Sequence, residues 1–221
     1  MAFVPEFDGI LRSHMIKVPE VISKASGIKI FGKKIRSIVF STDVAIVKNI
    51  NADAVMAVYP FTPQPIITKA IMIAADIPVF CGVGGGITTG HRVVELAMDA
   101  EFQGAIGVVV NAPTPNEVIE KLRSSIDIPV CVTIVSLKSD VESRIKAGAN
   151  IINVSGAQYT PNIVREIRKK HPELAIMATG GPTEETILET IEAGANAITF
   201  TPKETPAYLF KEIMDRYRAE L

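Results

Sequence analysis

Ala147-Gly148-Ala149-Asn150-Ile151-Ile152 and Ala193-Gly194-Ala195-Asn196-Ala197-Ile198 are two copies of one phrase, a helix exit running into the start of an apolar stretch. Asn51-Ala52-Asp53-Ala54-Val55 is a looser third copy. A second mark travels with it: Thr-Pro recurs at Thr62-Pro63, Thr114-Pro115, Thr160-Pro161 and Thr205-Pro206, at spacings of 52, 46 and 45 residues. Threonine is a good N-cap and proline is pre-organised for the first helical position. Each pair is therefore expected to open a helix, with Thr114 and Glu117 completing a capping box. A unit repeated at this period is one βαβα quarter, and four quarters make eight strands.

Working outward, short continuous apolar runs lie at Ser37–Ser41, Ala54–Tyr59, Val79–Val83, Ala105–Val110, Val130–Val135, Ile151–Val154, Ala175–Ala178 and Ala197–Phe200. Unbroken runs suit parallel strands covered on both faces. Amphipathic segments between them include Arg92–Ala100, Asn116–Ser124, Asp140–Ala147, Asn162–Lys170 and Glu184–Ala193. Strict alternation with short loops argues a parallel α/β sheet. A doubly wound open sheet is the rival, but a rotationally repeated quarter closes more naturally than it lies open. The expected fold is an α/β (β/α)8 TIM barrel over residues 36–221, preceded by an extension, residues 1–35, that caps the barrel's N-terminal mouth. Within that extension, Pro5–Met15 and Pro19–Ala25 read as short helices, and Ile28–Phe31 with Gly32-Lys33-Lys34 as a strand and turn.

The chain has 221 residues, near the lower end for such a barrel, which typically needs ~250. At 48% apolar and 21% charged it is rich in core-forming residues, which excludes disorder. With a net charge of −1 and basic clusters no longer than Arg168-Lys169-Lys170, it has no nucleic-acid face. Cys81 and Cys131 have no ligand-spaced partners, so neither zinc site nor redox pair is expected, and a reducing cytoplasm is the expected location. The N-terminus lacks the pattern of a signal peptide, and no apolar run approaches the ~20 residues of a membrane span.

Active sites of such barrels lie at the C-terminal strand ends. Numbering the barrel strands one to eight, strand one ends Ser41-Thr42-Asp43, and strand three runs out through Gly82-Val83-Gly84-Gly85-Gly86-Ile87-Thr88. Strand four ends at Asn111, strand five at Ser136-Leu137-Lys138, and strand six at Asn153-Val154-Ser155-Gly156. Strand seven ends at Thr179-Gly180-Gly181, and strand eight at Thr201-Pro202-Lys203. Glycines there let backbone amides approach an anion closely, helped by the following helix N-terminus. Asp43 is read either as an acid or base or as the cap of the first helix. His91 and His171 are read as surface groups, the two cysteines as core, and Tyr159 as a rim or solvent residue.

Ile176-Met177-Ala178-Thr179-Gly180-Gly181-Pro182 resembles the strand-seven signature of phosphate-binding, aldolase-type barrels, especially the keto-deoxy-phosphogluconate aldolases. The resemblance covers about 60 residues, from Ala147 to Pro206. It implies a phosphate held by Thr179, Gly180 and Gly181. The chain departs from that family at two places. Asn153 stands where the family has its Schiff-base lysine, and Pro202, which has no N–H, stands in the phosphate cup, with Lys203 as a replacement charge. Gly82-Val83-Gly84-Gly85-Gly86-Ile87-Thr88 is similar to the strand-three glycine stretch of the histidine-biosynthesis barrels, which would make Gly85 and Gly180 symmetry mates. Those barrels use aspartates ending strands one and five. Asp43 meets the first, and strand five has no carboxylate before Asp140.

The expected function is that of a metabolic enzyme, a lyase or isomerase without metal or cofactor, acting on a small phosphorylated or anionic metabolite. Asp43, Lys138 and Asn153 are the candidate catalytic residues. Gly84, Gly85, Gly86, Asn111, Ser155, Thr179, Gly180, Gly181, Thr201 and Lys203 are the candidate binding residues. The alternative is a non-catalytic metabolite sensor that keeps the phosphate cup. No membrane or nucleic-acid partner is expected, and a homo-oligomer is.

Overall fold

β-Branched residues dominate the apolar runs, and they form strands because a pleated, doubly covered sheet suits their restricted rotamers. The computed structural model describes residues 15–203 and 206–219, together with Phe3, Pro5 and Gly9. A hairpin of β1 (Ile28–Ile30) and β2 (Lys33–Ile35) turns at Phe31-Gly32, both in the left-handed region. Eight parallel strands follow: β3 (Ser37–Phe40), β4 (Ala54–Ala57), β5 (Val79–Gly84), β6 (Gly107–Val110), β7 (Val130–Ile134), β8 (Ile151–Val154), β9 (Ala175–Thr179) and β10 (Ala197–Phe200). They are barrel strands one to eight. β10 pairs with β3, so the sheet closes into a (β/α)8 barrel.

The helices are α1 (Val44–Lys48), α2 (Pro65–Ala74), α3 (His91–Phe102), α4 (Asn116–Ser125), α5 (Val141–Lys146), α6 (Thr160–Lys170), α7 (Glu184–Glu192) and α8 (Pro206–Ala219). Side chains alternate along each strand. Val39, Val55, Val108, Val132, Ile152, Ile176 and Ile198 face the helices in one apolar cluster. Ile38, Met56, Phe80, Cys131, Ile151 and Met177 fill the interior, where Ile28, Ile30 and Ile35 of the hairpin join them.

The repeated phrase has a physical meaning at the N-terminal end of the barrel. Asn150 Oδ1 accepts from Val130 N at 3.0 Å, and Asn196 Oδ1 accepts from Ile176 N at 2.9 Å. Asp53 Oδ2 accepts from Arg36 N at 2.8 Å and Ser37 N at 3.0 Å. Each side chain ties the lead-in of one strand to the start of the strand before it. Gly148 and Gly194 both have φ +111°, and the stems of Arg123 and Arg168 lie over them.

The Thr-Pro marks behave differently from expectation. α2 begins after Gln64, and Thr62 accepts from the Thr88 hydroxyl instead of capping. In α4 the extended Pro115 takes the N-cap position, so the Thr114 hydroxyl sits one residue too early to reach the first amides. The expected Thr114–Glu117 capping box does not form, and Thr114 Oγ1 is buried without a partner. Thr160 lies inside α6 and accepts from Gly156 N. Thr205 falls outside the described residues, as does most of the helix expected over Pro5–Met15. The complete capping box is at Thr183 and Thr186, opening α7.

The 3-10 turn Glu20–Lys24, where a short helix was expected over Pro19–Ala25, packs on α7, and Ile16 pairs with Ile50 just beyond α1. The N-terminal segment thus occupies the ring position between α7 and α1. None of the described side chains of α8 is buried. Among the described residues, no helix is long and apolar enough to cross a membrane.

Candidate functional site at the C-terminal mouth

Interior positions near the C-terminal ends of β7 to β10 carry polar side chains where the lower layers carry Ile, Met and Cys. Thr133 pairs in register with Asn153, and Thr179 with Thr199. Together with Asn111, Ser155 and Thr201 they form the polar side of a cavity of about 300 Å³. Phe40, Met56, Val58 and Val109 form its apolar side. Among the described residues none that lines this cavity is ionisable.

Two polar atoms in it are unusual. Asn153 is 5% exposed and donates from Nδ2 to Thr133 Oγ1 at 3.1 Å, but its Oδ1 has no partner among the described residues. Thr199 is 4% exposed, and its Oγ1 is likewise unpartnered. A buried polar atom left unsatisfied costs about 1–3 kcal/mol, so each of these two atoms calls for a hydrogen-bond partner, from water or from a bound molecule. Thr199 escaped the sequence reading. Its signal was the two-residue step from Ala197, hidden because a doubly buried strand reads as one apolar run.

Thr179, Thr199 and Thr201 also line a neighbouring cleft of about 780 Å³ between the ends of β9 and β10, so the two spaces adjoin at these three residues. The cleft adds Lys17 and Lys203, with Glu184 and Glu185 at the start of α7. The carboxyl of Glu185 is held below its ordinary value by its own backbone N–H and then by the Thr183 hydroxyl. The first turn of α7 is therefore capped from within by its own carboxylate and by the Thr183–Thr186 box.

The glycines of the two loops serve the fold in ways the sequence did not separate. Gly180 donates its N–H to Thr199 O at 3.2 Å, so this amide belongs to the barrel ladder and is not free for an anion. A Cβ on Gly180 would meet Ile198 and Ile187 at 2.7 and 2.8 Å. Gly181, at φ +83°, leaves room for the Thr186 hydroxyl, and its own amide has no partner among the described residues. In the strand-three loop, Gly85 N donates to Thr88 O and Gly85 O accepts from Thr88 N, closing a tight turn at Gly85–Thr88. Gly84 makes room for Val93 of α3, and Gly86 turns the chain in open space at φ +61°. Gly84, Gly85 and Asn111 border a small pocket beside the mouth.

The candidate catalytic residues separate in space. Asp43 is the N-cap of α1, its Oδ1 accepting from Ala45 N at 2.9 Å and Ile46 N at 3.3 Å, and it lines neither the mouth nor the cleft. Lys138 lines an outer groove of about 420 Å³ between α5 and α6, which shares no residue with the mouth. Asn153 alone of the three stands on the cavity floor. His91 faces solvent beside Glu95, His171 approaches Glu142 at 3.6 Å on the outer surface, and Tyr159 is exposed. Among the described residues no three His, Cys, Asp or Glu side chains are grouped to hold a metal.

Burial pushes the Cys131 thiol from its ordinary 9.0 up to about 12. Burial, followed by the charge of Asp99, does the same for Cys81. Both are therefore protonated, unreactive core groups at neutral pH. A thiol whose folded pKa is raised contributes its full stability below the unfolded value, and loses it as pH rises through the folded one. The stability of the protein is accordingly expected to fall between about pH 9 and about 12, and less steeply in Cys131→Ala. Neither thiol should react with a bulky disulfide reagent until denaturant is added; rapid native labelling would contradict the burial.

No family model and no curated relative matches the chain. Solved structures do. A phosphonopyruvate hydrolase superposes with a TM-score of 0.64 at 13% identity, covering 87% of this chain and 85% of that one. A 2,3-dimethylmalate lyase of the PEP mutase/isocitrate lyase superfamily gives 0.57 at 13% identity, covering 90% and 80%. The dihydrodipicolinate synthase of Agrobacterium tumefaciens str. C58 gives 0.56 at 13%, covering 91% and 79%. The chain shares the (β/α)8-barrel fold of these enzymes. At such identities the likeness extends to the architecture, and the chemistry has to be argued from the mouth itself.

Proposed function

We propose that the chain is a metabolic enzyme of the lyase or isomerase type that binds a small metabolite across the barrel mouth and the adjoining cleft. The observation that carries this reading is the pair of buried, unpartnered atoms, Asn153 Oδ1 and Thr199 Oγ1, on the floor of a cavity at the catalytic end of the barrel. The Thr179-Gly180-Gly181 resemblance to the keto-deoxy-phosphogluconate aldolases and the lyase and hydrolase names among the structural neighbours support it. An anionic or phosphorylated end would lie in the cleft, near Lys203, Lys17, the Gly181 amide and the hydroxyls of Thr179 and Thr201. Ser155, within 3.4 Å of the Thr179 hydroxyl, would help orient the rest. The cleft's ionisable groups, Lys17, Glu184, Glu185 and Lys203, are the candidates for proton transfer, with Lys203 on the segment that follows β10, while Asn153 holds the substrate by hydrogen bonding. Asp43 would take part only by giving up its helix cap. A homo-oligomer belongs to the same proposal, checked by sedimentation velocity on the full chain.

A non-catalytic sensor is the second reading, favoured by the uncharged lining of the mouth. Thermal melts and product-detecting NMR with a panel of keto acids and sugar phosphates separate the two. The enzyme reading expects a compound that both stabilises the fold and is turned over, with Lys203→Gln weakening its binding by about tenfold, or ~1.4 kcal/mol. Stabilisation without any turnover would transfer the assignment to the sensor, and neither effect would remove both.

A further inference from the structure

We infer that the portion of the ligand seated in the barrel mouth is uncharged, presents an N–H or O–H donor to Asn153 Oδ1, and turns an apolar edge toward Phe40, Met56, Val58 and Val109. The inference rests on the mouth being the ligand site and specifies what class of group it takes.

Asn153 is the deciding residue. One of its two Nδ2 hydrogens is given to Thr133 Oγ1, while its amide oxygen is buried with no partner among the described residues. That oxygen is an acceptor with no proton to give. A carboxylate or phosphate is also acceptor-only when ionised, so it leaves that oxygen unsatisfied and meets it with like partial charge. A hydroxyl, amide or amine N–H supplies what is missing. Thr199, whose hydroxyl both donates and accepts, takes whichever complementary atom stands beside that donor.

Burial points the same way. A charge moved into a small cavity without a counter-charge loses its hydration and gains nothing comparable in return. Among the described residues the mouth is lined by no Lys, Arg, His, Asp or Glu, whereas the cleft beyond Thr179 and Thr201 has four ionisable ones. The site is therefore divided. A neutral, hydrogen-bond-donating head enters the barrel, and any anionic group of the same molecule stays outside, within reach of Lys17 and Lys203. The apolar wall formed from β3, β4 and β6 gives the head a hydrocarbon or ring edge opposite its donor.

Benzamide and benzoate test this directly, because they share one shape and differ in charge and in donor capacity. Two-dimensional 1H–15N spectra of the full chain are recorded with each, the Asn153 side-chain amide being identified by its loss in Asn153→Leu. Benzamide is expected to shift that signal, and benzoate to require at least roughly tenfold more ligand for the same shift. Thr199→Val, which removes only an unpartnered atom, should weaken benzamide at least several-fold while melting no lower than the parent, and Asn153→Leu, which also removes the bond to Thr133, should weaken it at least as much. Benzoate acting at Asn153 as strongly as benzamide would overturn the neutral class and leave the mouth as the site. A lowered melting temperature in Thr199→Val would show that its hydroxyl serves the fold, and would also overturn it. If neither probe reaches Asn153 while the metabolite panel still stabilises the chain, the inference fails and the broader function stands.

Discussion

Arg168→Ala is expected to lower the unfolding free energy by about 2–4 kcal/mol, which for a chain of this size is roughly a 5–15 °C drop in melting temperature. The guanidinium is a junction for three segments. Its Nη1 donates to the carbonyls of His171, Pro172 and Leu174 at 3.2, 2.7 and 2.8 Å. Nη2 donates to Gly194 O at 2.8 Å and to Asn196 Oδ1 at 2.7 Å, and Nε reaches Gly194 O at 3.2 Å. Through Asn196, which also accepts from Ile176 N and donates to Ser26, one side chain joins α6, the start of β9, the lead-in to β10 and the N-terminal segment. Partial burial pulls its pKa below the ordinary guanidinium value, yet it remains charged and its donors remain charge-assisted. Alanine leaves several carbonyls to water or to nothing and strips the stem from over Gly194. Arg168→Lys keeps the charge but not the planar fork, and should fall between alanine and the parent in urea unfolding. An alanine variant within ~0.5 kcal/mol of the parent would show that solvent replaces these bonds without loss.

Gly85→Ala is expected to be nearly as damaging, by about 2–4 kcal/mol, for a different reason. At φ +115° the residue sits where a side chain is strained, and a Cβ there would lie 2.4 Å from Asn111 Cβ and 3.0 Å from Asn111 N. Asn111 cannot withdraw easily, because its N–H donates to Gly84 O at 3.0 Å. Relief must come from moving the end of β6, which carries a mouth residue, so ligand binding should weaken together with stability. Gly86→Ala is the control: φ is +61°, nothing lies within 4 Å of the added carbon, and the expected cost is about 1 kcal/mol. Equal effects at the two positions would mean that the close approach to Asn111 is not what requires glycine at 85.

These two residues show how legibility divided along the chain. Arg168 read in sequence as one member of a basic cluster at a helix end, because charge and composition do not reveal that its neighbours Gly194 and Asn196 come round beneath it. The phrase containing those neighbours was recognised as a repeat, but its purpose, an Asn or Asp side chain stitching paired strand starts, required the register. Gly85 read as a phosphate-loop glycine because an anion and a neighbouring backbone make the same demand: no Cβ. Asp43 shows the reverse, since capping and proton transfer were both open until the Ala45 and Ile46 amides were seen to hold its carboxylate.

By itself the sequence determined the closed barrel, since apolar runs of strand length alternating with amphipathic helices, repeated by quarters, admit few other packings. It also pointed to the strand ends as the place to look for a site and placed Asn111, Asn153, Ser155, Thr179 and Thr201 among the candidates. Tertiary structure decided which of these share one cavity, assigned Lys138 to a different groove, added Thr133 and Thr199, and left Lys203 and Lys17 facing the same cleft across the N-terminal segment. The physical reason is that strand and helix formation follow local patterns of burial. A site depends on which side of each strand turns inward and on which distant segments meet there, and in a fully covered parallel sheet both sides are written in the same apolar residues.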